Sequence, residues 1–168
     1  MHRYTDQELE GALSLNRIPT AVAPVLVIGI GNPSRGDDAI GPLAVERLEA
    51  RALPGVELLT DFQLQVEHAL DLLGRREVVF VDAAATGPEP FGFEPVAPAA
   101  DTGALSHSLS PAAVLQAFQR VADAPLPAAF TLAVRGYGFE LGAALSPRAG
   151  ANLDAALKAL TARLATGR

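Results

Sequence analysis

The sequence predicts a single α/β domain in which a mostly parallel sheet of about five strands lies between two layers of helices. Three observations support this fold class. The chain has 168 residues, 49% of them hydrophobic, enough for one compact domain with a sizeable core. Short apolar runs typical of buried strands alternate with segments of helical periodicity. Because each crossover helix packs back over the sheet that it leaves, this alternation predicts a three-layer α/β/α sandwich.

An N-terminal extension, residues 1–23, is predicted to precede the domain, which spans residues 24–168. Residues 5–8 of the extension read Thr-Asp-Gln-Glu, a capping-box pattern that predicts the start of a short helix. The domain opens with Val25–Ile30, an apolar run that predicts a strand buried on both faces. Residues 37–51 follow with apolar side chains at helical spacing. The opening unit is therefore a strand, a loop and a helix.

The other elements continue the same alternation. The sequence predicts strands at 56–60, 78–82 and 130–135, an edge hairpin strand at 91–96, and helices at 65–73, from Ser110-Pro111 to about residue 121, and from Ser146-Pro147 to the C-terminus. Ligands of such folds bind at the carboxyl ends of the strands. The loop after Ile30 and the strand ends at Asp61 and Asp82 are therefore the expected site.

Charge and residue usage exclude several classes of function. Nineteen acidic and thirteen basic residues give a net charge of -6, which disfavours nucleic acid as a partner. The apolar runs are far shorter than the roughly 20 residues that span a bilayer, and the N-terminal residues lack a secretory pattern, so we expect a cytoplasmic protein with no membrane segment. Without cysteine, a protein metal site must use Asp, Glu or the three histidines at positions 2, 68 and 107.

The loop after the first strand carries the most informative motif, Gly29-Ile-Gly-Asn-Pro-Ser-Arg-Gly-Asp-Asp-Ala-Ile-Gly41. Its glycines are compatible with a dinucleotide fingerprint, but Ser34 stands where that fingerprint has its third glycine. Asp37 and Asp38 would also repel a phosphate at the start of the helix. We expect Asp37 to cap the helix. Asp38 is either a first-turn charge that favours the helix dipole or a functional carboxylate.

Two further polar residues belong to loops at the same end of the predicted sheet. Asp82 ends an apolar strand, where an aspartate either faces the crevice or bonds its own backbone. His107 lies in a polar loop ahead of the Ser110 helix start, where a lone histidine is more often solvated. Two carboxylates and one imidazole that converge on one crevice would suit a divalent ion such as nickel or zinc, with coordination positions left open for a substrate.

Residues 29–32, Gly-Ile-Gly-Asn, and 35–41, Arg-Gly-Asp-Asp-Ala-Ile-Gly, resemble the opening motif of the hydrogenase maturation endopeptidases. The resemblance implies that Asp38, Asp82 and His107 are the metal ligands and the catalytic residues. Ala39 departs from the glycine that relatives often carry after the acidic pair. The segments after Asp61 and after position 135 look like the branch that serves NAD-coupled soluble hydrogenases.

The resemblance covers the chain from Val25 to the C-terminal helix. It implies an endopeptidase that removes the C-terminal extension of a nickel-loaded hydrogenase large-subunit precursor. The nickel would be carried by the substrate, with zinc or cadmium able to replace it in vitro. We expect a monomer whose partner is that precursor. Two alternatives stay open: a maturation chaperone that binds nickel or precursor without cutting, and a nucleotide-binding α/β protein.

Several residues near the second strand are weaker candidates. Asp61 ends that strand at a position where relatives carry a functionally important aspartate. His68 falls off the apolar stripe of its predicted helix and is expected on a solvated face. Gln63, Gln65 and Glu67 are candidates to line the crevice.

Overall fold

The computed structural model describes residues 22–100 and 109–166, and in them one five-stranded sheet lies between two layers of helices. The strands are β1 (Val25–Ile30), β2 (Val56–Asp61), β3 (Glu77–Ala84), β4 (Phe91–Pro95) and β5 (Ala128–Arg135). The helices are α1 (Ile40–Glu49), α2 (His68–Asp71), α3 (Pro111–Val121) and α4 (Pro147–Thr166). The strand order is β2-β1-β3-β5-β4, with parallel pairing except between β4 and β5. The predicted three-layer α/β fold is confirmed.

The N-terminal extension and the helix predicted at residues 5–8 lie outside the described residues, apart from Val22 and Ala23. The start of the domain is tied to β3, because the carbonyl oxygen of Pro24 accepts hydrogen bonds from the N–H groups of Arg76 (2.7 Å) and Glu77 (3.1 Å). In the part of the chain that the structure describes, no helix combines the length and apolar character needed to span a membrane.

The interior strand β1 is buried along its whole length, as its continuous apolar sequence predicts. It pairs with β2 on one side and β3 on the other, and helices cover both of its faces. One face of the sheet packs mainly against α1 and α4, around Ile40, Leu48, Leu153, Leu157 and Leu160. The other face packs against α2 and α3, around Leu72, Val114, Leu115 and Phe118. Two apolar cores therefore support the loops at the edge of the sheet.

The carboxyl ends of the strands form a step at Asp82. Pairing of β1 with β3 ends at Gly29 and Val81, whereas β3 and β5 stay paired to Ala84 and Arg135. The prediction that Asp82 closes its strand is therefore wrong by two residues, because β5 supplies partners that the sequence pattern does not reveal. Asp82 is the first residue of β3 beyond the pairing with β1, so its β1 side faces the loop that follows β1.

The helices differ from prediction mainly at their ends. Residues 36–39 form a 3-10 turn ahead of α1. The helix predicted at 65–73 is reduced to His68–Asp71, because the backbone bonds around it join residues three apart, such as Ala69 to Val66. Both Ser-Pro pairs start helices as expected, and the Ser110 hydroxyl accepts a bond from the N–H of Ala113. The edge strand β4 pairs with β5, so it is not half of a local hairpin.

Candidate active site

Asp38 is held in the tight turn between β1 and α1. Its Oδ2 accepts a hydrogen bond from the backbone N–H of Asn32 at 2.8 Å, and its own N–H donates to the carbonyl of Arg35 at 3.1 Å. Gly31 has φ of 138°, and a Cβ on it would lie 2.0 Å from the carbonyl oxygen of Asp38. The glycine thus allows the turn to close on Asp38, whose carboxylate is half-buried.

Asp38 and Asp82 line the same pocket of about 250 Å³ at the step in the sheet, here named the acidic pocket. Burial raises the pKa of Asp82 to about 6, with a further contribution from repulsion by Asp38, while a bond from the N–H of Ala83 (2.7 Å) opposes the rise. The sequence leaves open whether Asp82 bonds its own backbone or faces the crevice, and the structure shows both. The bond from Ala83 is the backbone contact, and the carboxylate lines the pocket. The other lining residues are Ile30, Gly31, Phe62, Gln63, Leu64, Leu109, Ser110 and Pro111.

The donor chemistry of this pocket fits a divalent cation. A cation between two carboxylates that repel each other would offset both the burial of Asp82 and its repulsion by Asp38. His107 lies outside the described residues, and it precedes the pocket-lining Leu109 by two positions in the sequence. Within the described ranges no three Asp, Glu or His side chains form a metal-binding group. The three-residue ligand set therefore stays a prediction.

Comparison with known proteins decides the fold family. Neither a protein-family profile nor a curated protein sequence matches the chain. Among solved structures, the hydrogenase maturating endopeptidase HybD from E. coli is 29% identical, with a TM-score of 0.68 over 83% of this chain and 91% of HybD. The chain is a structural relative of the hydrogenase maturation endopeptidases. HycI from Thermococcus kodakarensis KOD1, a NiFe hydrogenase maturation protease, has the same fold at 24% identity, with a TM-score of 0.64 over 91% of this chain and 99% of that chain.

A further relative, an endopeptidase from Escherichia coli, is 27% identical over 83% of this chain and 91% of its own, with a TM-score of 0.64. The resemblance to the maturation endopeptidases predicted from residues 29–41 is thereby confirmed. The narrower assignment to the branch of NAD-coupled hydrogenases stays a prediction.

In this member of the maturation endopeptidase fold, Asp37 does not cap a helix as the sequence predicts. Its side chain is fully buried and accepts four hydrogen bonds, from the N–H groups of Tyr137 (2.7 Å), Gly138 (3.0 Å) and Ser146 (2.7 Å) and from the Ser146 hydroxyl (2.9 Å). Burial opposes ionisation, but these bonds outweigh it and lower the pKa of Asp37. The prediction was wrong because the partners lie about a hundred residues away in the sequence, on the loop between β5 and α4.

His68 is likewise not on a solvated face, because its ring is buried beside Asp61. Its Nδ1 accepts the N–H of Gln65 at 2.9 Å, and its Nε2 lies 3.4 Å from Oδ2 of Asp61. In the tautomer that accepts this bond at Nδ1, the hydrogen on Nε2 faces the carboxylate of Asp61. Both ring nitrogens thus lie against groups of the protein, and His68 packs as a support beside Asp61.

A second cleft of about 240 Å³ adjoins the acidic pocket of this endopeptidase relative. It is lined by Gly31, Pro33, Pro42, Thr60, Asp61 and Phe62, and it shares Gly31 and Phe62 with the first pocket. Phe62 is 67% exposed and stands at the rim that the two clefts share. Of the second-tier candidates, Gln63 lines the acidic pocket, whereas Gln65 and Glu67 do not.

Proposed function

We propose that this protein is an endopeptidase that removes the C-terminal extension of a nickel-loaded hydrogenase large-subunit precursor and recognises the bound nickel. The observation that carries the proposal is the placement of Asp38 and Asp82 on one pocket, in a chain with the fold of the maturation endopeptidases. Two carboxylates at the carboxyl edge of a parallel sheet stand where folds of this class bind their ligands.

The nickel of the precursor is, in this proposal, part of the substrate. Asp38, Asp82 and His107 would supply two oxygen ligands and one nitrogen ligand, a set that suits a borderline divalent ion. A precursor without nickel offers these residues nothing to bind and is left uncut. Zinc or cadmium would take the same ligands in vitro. Metal loading therefore serves as the checkpoint for cleavage.

Asp82 would release a proton as it becomes a ligand. In the metal-free pocket, burial and Asp38 raise the pKa of Asp82 to about 6, so part of the protein holds this proton near pH 6 and loses it when the nickel of the precursor binds. The chain has no cysteine, and none of its serines lies in the Gly-x-Ser-x-Gly pattern of a nucleophile elbow. Direct attack by water is thus the route that fits the available groups.

The deciding experiment incubates the purified protein with nickel-loaded and with nickel-free precursor and follows precursor mass. We expect loss of a C-terminal peptide from the loaded form alone. If the loaded precursor binds without losing mass, the protein is a chaperone and the peptidase proposal is wrong. Equal cutting of both forms would contradict nickel recognition while leaving the peptidase activity. The cytoplasmic location and monomeric state stay predictions.

A further inference from the structure

The turn that carries Asp38 is fastened to the loop between β5 and α4, residues 136–146, here named the clasp loop. Backbone and side-chain groups of residues 34–37, which directly precede Asp38, pair with this loop at four points. They are Gly36 N–H to Ala143 O (3.1 Å), Asp37 N–H to Gly138 O (2.7 Å), Gly142 N–H to Ser34 O (2.8 Å) and Arg35 Nε to Phe139 O (2.9 Å). Three backbone bonds and one side-chain bond therefore join the turn to the clasp loop.

The carboxylate of Asp37 is the buried centre of this contact. It is 0% exposed and accepts all four of its hydrogen bonds from the clasp loop, through Tyr137, Gly138 and Ser146. An ionised carboxylate at such a depth is tolerated only when its acceptor sites are filled by donors with good geometry. The arrangement therefore fixes the distance and orientation between the turn and the loop.

Close packing leaves this contact little freedom. A Cβ on Gly36 would lie 2.5 Å from the carbonyl oxygen of Gly138, and a Cβ on Gly136 would lie 2.9 Å from the Cβ of Asp37. Both glycines allow the two backbones to approach more closely than any other residue would. A small displacement of Asp37 would thus disturb several contacts together.

The clasp loop is itself anchored to the body of the domain. Tyr137 donates its hydroxyl hydrogen to Glu89 and accepts a bond from Nδ2 of Asn152 in α4 at 2.9 Å. Arg148 pairs with Glu89 through two nitrogens and lies over the Tyr137 ring. Ser146, which donates to Asp37, also accepts the N–H of Ala149 at the start of α4. The loop is thereby a fixed support for the turn.

We propose that Asp37 is a positioning residue, which acts by holding the carboxylate of Asp38 at its place opposite Asp82. Asp37 and Asp38 are consecutive residues of one 3-10 turn, so the bonds of the first constrain the second. Asp38 accepts the N–H of Asn32, and that amide reports directly on where its carboxylate lies. The role in processing rests on the proposed function, whereas the positioning is measurable without it.

The first test measures position by amide NMR shifts in the full-length protein. Asp37→Asn replaces one acceptor oxygen by a donor, so we expect the Asn32 and Asp38 amide resonances to move. The control is Leu160→Ala, which weakens the core beneath α4 far from the clasp loop and should leave both resonances in place. Unchanged Asn32 and Asp38 signals in the folded Asp37→Asn protein would overturn the proposal.

The second test measures cutting of the nickel-loaded precursor under conditions in which every variant is folded by circular dichroism. We expect Asp37→Asn to lower kcat by about 10–100-fold, the usual effect of losing a group that orients a ligand. Ser146→Ala, which removes one of the four bonds, should have a smaller effect, and Ser146→Thr should restore the rate by keeping the hydroxyl. Leu160→Ala should cut at the wild-type rate.

The outcomes separate this proposal from the proposed function. If wild-type protein leaves the loaded precursor intact, the peptidase function is wrong, while the Asn32 shift still decides whether Asp37 positions Asp38. If wild-type protein cuts and Leu160→Ala slows cutting as much as Asp37→Asn, the effect is one of stability and the positioning role is wrong.

Discussion

At the scale of single residues, the acidic pocket makes a prediction about pH. Burial raises the pKa of Asp82 to about 6 from its ordinary value of 3.8. A raised pKa stabilises the folded state below about pH 4, and this contribution is lost as pH rises to about 6 and beyond. By linkage the loss is up to about 3 kcal/mol in the metal-free protein.

Urea unfolding of the wild type and of Asp82→Asn between pH 4 and 7.5 measures this contribution. The difference in unfolding free energy should change in favour of the variant as pH rises through that range, because asparagine has no charge to bury. A constant difference across the range would contradict the raised pKa of Asp82.

The same pocket predicts which substitutions abolish processing. Alanine at Asp38, Asp82 or His107 should each lower cutting of the nickel-loaded precursor by about 100-fold or more, because each removes a proposed ligand. Circular dichroism should show an unchanged fold. Glu94→Ala, a change at an exposed carboxylate on the edge strand β4, serves as the matched control and should keep full activity. Retained cutting in all three site variants would defeat the site assignment.

The sequence predicts the position of a site residue correctly only where the fold class itself determines that position. Asp38 and Asp82 were predicted to converge because parallel strands end at one edge, and both line one pocket. The burial of His68 was missed because helical periodicity assigns a residue to a face but does not reveal that Asp61 stands beside it. The capping role predicted for Asp37 is wrong because its true partners, Tyr137 and Ser146 among them, are remote in the chain.

At the scale of elements, the contact between α1 and β1 depends on Gly41. A Cβ on Gly41 would lie 2.1 Å from the carbonyl oxygen and 2.4 Å from the nitrogen of Ile30. Gly41→Ala is therefore expected to push α1 away from β1 and to lower the free energy of unfolding by about 3 kcal/mol, despite the better helix propensity of alanine.

Gly150→Ala in α4 is the matched control for this prediction. The nearest neighbour of its added Cβ would be a Leu145 side-chain atom at 3.6 Å, an ordinary contact. The control should be neutral or stabilising by up to about 1 kcal/mol, since a helical glycine is replaced by alanine. Thermal unfolding compares the two variants, and equal stability would show that the close approach of α1 to β1 yields to a small shift.

Elements with a strong local pattern were predicted well, and those shaped by neighbours were not. The apolar run of β1 and the Ser-Pro starts of α3 and α4 contain their own signals. The extension of β3 to Ala84 depends on pairing with β5, and the shortening of α2 depends on i to i+3 bonding. Neither cause is visible within a single segment of sequence.

At the scale of the whole molecule, two cores on opposite faces of one sheet should unfold together. Leu115 lies in the core between the sheet and helices α2 and α3, and Leu157 lies in the core between the sheet and helices α1 and α4. Both side chains are essentially fully buried. Each Leu→Ala substitution should lower the free energy of unfolding by about 2–5 kcal/mol through loss of packing and creation of a cavity. Because both cores share β1, β3 and β5, each variant should still show one transition.

Urea unfolding followed by circular dichroism and by hydrogen exchange tests this cooperativity. In both variants the midpoints from the two probes should coincide. Separate transitions in Leu115→Ala would mean that the α2 and α3 layer unfolds independently of the rest.

The placement of both cores beneath the rim of loops has an evolutionary consequence. Side chains such as Phe62 and Gln63 reach the clefts from the rim, so their replacement leaves the interior intact. Substitutions at a few rim positions can therefore change which partner is bound without a loss of stability, because stability depends on a separate group of buried residues. Asp37 connects the two groups, because it is fully buried and yet belongs to the turn that carries Asp38 to the pocket.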